Sequence, residues 1–172
     1  MKKLFLTAVV VAMGVFTAQS QTVDFGVKAG FLNVQAEIET PDGDVSNSEA
    51  GFLIGGLVDI GVSENFHVQP ELLYGNAGEG SALFIPILAK YYIADSGFAI
   101  LAGPQGTLDL EEAVEGVNTF GIDATFGASY DITENFFIDA RYSFELTNRF
   151  KDGGDDFKGH INSLQIGVGY KF

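Results

Sequence analysis

The chemistry open to this chain rests on its carboxylates and a few cations, because the 172 residues include only two histidines, His67 and His160, and no cysteine. Without cysteine there is no disulfide framework, no thiol nucleophile and no thiolate metal site. Seven charged residues fall on one parity of alternating segments: Lys28, Asp59, Glu71, Lys90, Asp123, Asp139 and Arg141. Brought together in a confined interior, such groups must pair or be hydrated. They are therefore expected to form a salt-bridge network that links strands, with Arg141 central because its planar fork satisfies two carboxylates. A gated ion path is the functional alternative for the same residues.

A second candidate constellation is His160 with Ser163 and Asp155 or Asp156, which would supply a base, a nucleophile and an acid in the manner of a lipid-modifying enzyme. Closeness along the chain is poor grounds for a site. His67 is expected near the opposite end and cannot join it. No catalytic, cofactor-binding or metal-binding residue is assigned. The segments 37–49, 109–115 and 152–156 are acidic, but their spacing does not reproduce an EF-hand loop. They are expected to be solvated loops.

The elements that must position these residues are strands. From Phe120 the even positions read Phe120, Ile122, Ala124, Phe126, Ala128 and Tyr130, against Gly121, Asp123, Thr125, Gly127 and Ser129. Phe136, Ile138, Ala140, Tyr142, Phe144 and Leu146 then oppose Asp139, Arg141, Ser143, Glu145 and Thr147, and Leu164, Ile166, Val168, Tyr170 and Phe172 oppose Gln165, Gly167, Gly169 and Lys171. This is period-two patterning. It predicts eight strands near 23–36, 50–62, 66–75, 82–93, 98–108, 118–131, 136–147 and 161–172.

Alternation alone does not say which face is inside. In a soluble lipocalin-like barrel the apolar face points inward, whereas in a membrane barrel it meets lipid. Three features favour the membrane reading. Glycines share the polar face (Gly26, Gly30, Gly55, Gly61, Gly121, Gly127, Gly167, Gly169), which suits a narrow eight-stranded lumen. Aromatics bracket the tight connections: Phe66, Tyr91, Tyr92, Phe98, Tyr130, Phe136, Phe137, Tyr170 and Phe172, where an interfacial girdle would fall. Tight connections at 63–65, 94–97 and 133–135 alternate with longer ones near 39–49, 109–116 and 148–160, as expected of bacterial barrels. Against this stand Leu53, Leu57, Leu73, Leu88 and Leu101 on the inner face, and Pro70, Pro86 and Pro104 within strands. Bulges at the prolines would reconcile them with a ladder.

Residues 1–20 carry Lys2-Lys3, an apolar run from Leu4 to Phe16, and small residues at Ala18 and Ser20, the plan of a cleaved signal peptide. The expected domains are a signal peptide over 1–20 and a barrel over 21–172. The net charge of −14 becomes two more negative when Lys2 and Lys3 are removed. Such a balance argues against nucleic acid, which is bound through Lys and Arg contacts to phosphate.

The chain resembles the outer-membrane β-barrel family of Bacteroidetes, the group labelled PorT-like. The resemblance is carried by Phe84-Ile85-Pro86-Ile87-Leu88-Ala89-Lys90-Tyr91-Tyr92, by Ala102-Gly103-Pro104, and by Phe137-Ile138-Asp139-Ala140-Arg141-Tyr142 running into Leu146-Thr147-Asn148. It covers essentially the whole mature chain, with Glu145 standing where glycine is common after the Arg-Tyr pair. Tyr170-Lys171-Phe172 is similar to the terminal aromatic signal by which assembly machinery recognises outer-membrane barrels.

The resulting expectation is an all-β protein: an eight-stranded antiparallel up-and-down transmembrane β-barrel, small and OmpA/OmpX-like. It would sit in the outer membrane with both chain ends in the periplasm, without catalysis or cofactor, serving a structural or interaction role through extracellular loops. Its expected partners are outer-membrane lipid, the barrel-assembly machinery and an unidentified extracellular partner. The alternatives are a soluble periplasmic or secreted ligand-binding barrel and a lipid-modifying outer-membrane enzyme.

Overall fold

The computed structural model describes residues 22–40, 43–94, 96–111, 116–149 and 158–172. The expected signal peptide lies outside the described residues, as do Asp152, Asp155 and Asp156. The regular elements are β1 (Val23–Thr40), β2 (Gly43–Gly61), β3 (Phe66–Ala77), β4 (Gly80–Tyr92), β5 (Phe98–Asp109), β6 (Phe120–Asp131), β7 (Phe136–Glu145) and β8 (Lys158–Lys171). Each pairs antiparallel with its sequence neighbour, and β8 pairs with β1, closing an up-and-down barrel. Closure leaves no sheet edge within the wall, the condition a strand protein must meet to span lipid.

The wall is inverted relative to a soluble barrel. Phe25, Ile54, Leu72, Ile87, Ile100, Phe126, Ile138 and Val168 project outward and are about half exposed, while the opposite parity is buried. Aromatics collect at both rims of this apolar band. At the end of the tight turns Phe98 stacks beside Tyr130 with ring centroids 4.7 Å apart, and Phe136 meets Tyr170 at 4.8 Å. At the other end Phe52 lies 6.3 Å from Tyr74 and Tyr142 lies 4.6 Å from Phe144. Aliphatic side chains fill the band between, as in transmembrane barrels with two aromatic girdles. Two aromatics assigned from sequence to the girdle turn inward instead: Phe137 is buried in the lumen and Tyr92 donates its hydroxyl to Asp131 at 2.7 Å. Both sit on the lumen parity of their strands, which outweighs their closeness to a turn.

Glycine on the inner parity makes room for its neighbours. A Cβ on Gly169 would meet the Phe137 ring, one on Gly167 the Lys28 side chain, and one on Gly127 both the Arg141 side chain and backbone. Long side chains on some strands thus lie across glycines on the next, filling a lumen too narrow for a full side chain at every position.

Three expectations are corrected. No bulge accommodates the prolines. The ladder opens at Pro70 between β2 and β3, at Pro86 between β3 and β4, and at Pro104 between β4 and β5, yet the register on either side of each gap is unchanged. A missing N–H removes a hydrogen bond without adding a residue, so the strands stay in phase. Segment 39–49 is not a loop: β1 and β2 stay paired out to Thr40↔Gly43, and β8 supports β1 as far as Glu39↔Lys158. The gap left between the strands expected at 66–75 and 82–93 shrinks to a two-residue connection whose Gly78 adopts φ 59°, a conformation that favours glycine.

Candidate functional site

The lumen is organised in tiers. Nearest the tight turns, Asp59 from β2 accepts from the His67 ring Nδ1–H at 2.6 Å and from the Lys90 ammonium at 3.3 Å. Lys171 from β8 donates to Asp131 at 3.0 Å, and Lys90 lies 3.6 Å from the same carboxylate. Lys90 also stands 4.7 Å from the centre of the Tyr92 ring, a cation–π contact. This tier therefore joins β2, β3, β4, β6 and β8, with two carboxylates facing two ammonium groups beside His67.

In the next tier Arg141 from β7 grips Glu71 of β3 across the lumen through two N–H groups, at 2.7 and 2.5 Å, and donates to Asp139 at 2.5 Å. Lys28 from β1 donates to Asp139 at 2.7 Å, and Gln69 donates to Glu71 at 2.5 Å. Two acids again face two bases, and all four charged side chains are fully buried. The fork of a guanidinium suits this bidentate geometry where an ammonium would not. Broken by loss of one member, such a set leaves an uncompensated buried charge.

Six of the seven charged residues singled out from sequence therefore lie in two separate clusters rather than one network: Lys28, Glu71, Asp139 and Arg141 in one, Asp59 and Lys90 in the other. Asp123 joins neither. Its Oδ2 accepts from Gln105 at 2.7 Å and from Thr107 at 2.5 Å, and Oδ1 has no hydrogen-bond partner. It lies further toward the long loops, opposite Glu145 in the β6–β7 register where Arg141 stands opposite Gly127. Alternation placed it inside without fixing its height.

Sequence reasoning also missed residues that the structure brings in. His67, Asp131 and Lys171 complete the turn-end tier. Extending the inner parity of β6 from Ser129 by one step reaches Asp131, and Lys171 already stood on the polar face of β8. At the loop end Arg149 donates to Glu145 at 2.5 Å and to Asp109 at 2.8 Å. Glu145 accepts from the Ile161 backbone at 2.6 Å, so the residue that departs from the family's glycine ties β7 to β8.

The His160–Ser163 pairing does not form. The two residues have opposite parity on β8; Ser163 is buried in the lumen, and neither Ser163 Oγ nor His160 Nδ1 has a hydrogen-bond partner. Tyr170 and Phe172 project outward at the turn end with their rings 5.4 Å apart. Phe172 donates its backbone N–H to Phe25 at 2.8 Å, pinning this segment to β1.

Above the tiers the lumen widens into a vestibule of about 380 Å³ at the loop end. Leu32, Leu53, Leu73, Ala77 and Phe84 form the apolar cluster at its base, with Val34 and Ala82 packed against it. Glu49, Asp109 and Glu111 stand on its wall.

A closed, eight-stranded barrel with an apolar outer band and a filled, charged interior is an integral outer-membrane architecture. The outer membrane protein beta-barrel domain family matches residues 5–172, and the chain belongs to that family. No curated protein matches it. Among solved structures, Neisserial surface protein A is similar at 18% identity and a TM-score of 0.55, covering 90% of this chain and 100% of that one. Ail, the attachment invasion locus protein of Yersinia pestis, is similar at 15% identity and a TM-score of 0.51, covering 87% of this chain and 98% of that one. At these identities the likeness is one of fold. The chain is thus an outer-membrane barrel, and the soluble reading with apolar residues inside is not its architecture.

Proposed function

We propose that this barrel is a non-enzymatic structural or interaction protein that presents its loop end outside the cell, with the tight turns and both chain ends in the periplasm. The observation that carries the reading is the filled lumen: two charge-balanced tiers and their packed aromatics occupy the turn-end half, so the lumen offers no open pore. The surface available for recognition is then the loop end.

Residues 1–20 would direct export as a signal peptide and be removed, and the outward Tyr170 and Phe172 would mark the chain for the barrel-assembly machinery. The motifs around Pro86, Pro104 and Arg141 support placement in the PorT-like branch of Bacteroidetes. The loop end is acidic. Ail has been solved with a polyanion, the heparin analogue sucrose octasulfate; here Glu49, Asp109 and Glu111 disfavour a polyanion and suit a cationic partner.

Gel mobility with and without boiling, combined with protease treatment of intact cells, tests the reading. The expected result is a heat-dependent shift and cleavage confined to segments 109–116 and 148–160. A protein soluble without detergent, or one cut at 63–65 or 133–135 in intact cells, would overturn it. Purified barrels in a planar bilayer should give no discrete conductance steps.

A further inference from the structure

The vestibule is more specific than a general acidic rim. We infer that it is a binding site for a small organic cation with an apolar body, of the primary-amine kind. The inference rests on the loop end facing outward, as proposed above. Its volume of about 380 Å³ falls in the range of small-molecule sites. The lower wall is hydrocarbon, formed by Leu32, Ala77, Ala82 and Phe84, and would take the apolar body.

The charge around it is one-sided. None of the residues lining the vestibule is basic, while three are carboxylates. Asp109 already holds Arg149. Glu49 and Glu111 have no ion pair among the described residues, and Glu49 receives only an amide N–H from Asn47, at 3.4 Å. They flank the β3–β4 connection: a Cβ on Gly78 would meet the Glu49 carboxylate, and one on Gly80 would contact Glu111. Beneath the wall, Thr107 donates to the buried Asp123, which makes no ion pair among the described residues and whose Oδ1 has no hydrogen-bond partner. Carboxylates over low-dielectric walls focus a negative potential into the cavity. An ammonium group would sit at Glu49 and Glu111 with its hydrocarbon on Phe84 and Ala82. A bare metal ion fits less well, because no three acidic or histidine side chains among the described residues converge on one point.

Calorimetric titration of the folded barrel in uncharged maltoside micelles, with empty micelles as blank, tests this with 4-phenylbutylamine, 4-phenylbutanol and 4-phenylbutanoate. The amine should bind saturably, the alcohol more weakly, and the acid not at all. The double variant Glu49→Gln/Glu111→Gln changes exposed side chains that support no strand. It should keep the heat-dependent gel shift and weaken amine binding about tenfold while sparing the alcohol. Ala82→Leu, which narrows the cavity, should weaken both. Equal uptake of all three compounds, or an amine affinity untouched by the double variant, would overturn the inference and leave the barrel reading intact. A preparation without the heat shift would overturn both.

Discussion

The two halves of the lumen follow different rules of charge. Toward the tight turns, each tier sets two carboxylates against two cations: Asp59 and Asp131 with Lys90 and Lys171, then Glu71 and Asp139 with Lys28 and Arg141. Toward the long loops, Asp109 and Glu145 both pair with Arg149, while Asp123 makes no ion pair among the described residues. The first half is also filled, by Phe137, Leu57, Leu88 and Leu101 as well as the charges, whereas the second opens into the vestibule. A balanced interior satisfies itself and holds strands together. An unbalanced one beside open space is where charge from outside can be accommodated.

Breaking a balanced tier should cost most. Arg141→Ala strands Glu71 and Asp139 beside Lys28 and is expected to remove about 3 to 5 kcal/mol of stability, read as a lower urea midpoint of the barrel in vesicles. A midpoint within error of wild type would show that the tier is hydrated and not structural. Gly169→Leu places hydrocarbon where the Phe137 ring lies and should cost about 1 to 3 kcal/mol by overpacking, seen as a lower temperature for the gel shift. Asp123→Asn probes the other half. The amide oxygen can still accept from Thr107 and Gln105, and no cation is left unpaired, so the change should stay within about 1 kcal/mol in the same urea assay. A loss as large as that for Arg141→Ala would mean the two halves do not differ in kind. Smallest of all, Glu134→Ala in the exposed turn after β6 should move the midpoint by less than about 0.5 kcal/mol.

Much of this architecture could be read in the sequence, because alternation is a local signal. The cleanest runs, through Phe126, Ile138 and Val168, became strands at nearly their expected bounds. Even the inner leucines, which looked like a departure, form lumen packing, Leu53 and Leu73 in one apolar cluster. What alternation cannot report is height. Whether Asp123 meets Arg141 depends on the stagger of eight registers, a non-local property, and so the single network resolved into two clusters and one solitary carboxylate. The prolines misled for a related reason. A missing donor suggests a bulge when one strand is considered alone, but in a closed wall the neighbouring pairs hold Ile87 opposite Pro70 without slippage.

The β1–β8 seam has a consequence for how such a barrel comes into being. It runs from Gly26↔Lys171 to Glu39↔Lys158, and joins the segments farthest apart along the chain. Lys171 donates its N–H to Asn135, Asn135 returns its side-chain amide to the Lys171 carbonyl at 2.8 Å, and Phe172 bonds to Phe25. A chain lacking β8 would therefore be no smaller barrel but an open sheet with two raw edges, with Asp139 and Arg141 left without the wall beside them. Insertion becomes an all-or-nothing event: lipid accepts the finished cylinder, and an interrupted chain has no intermediate form in which to wait there.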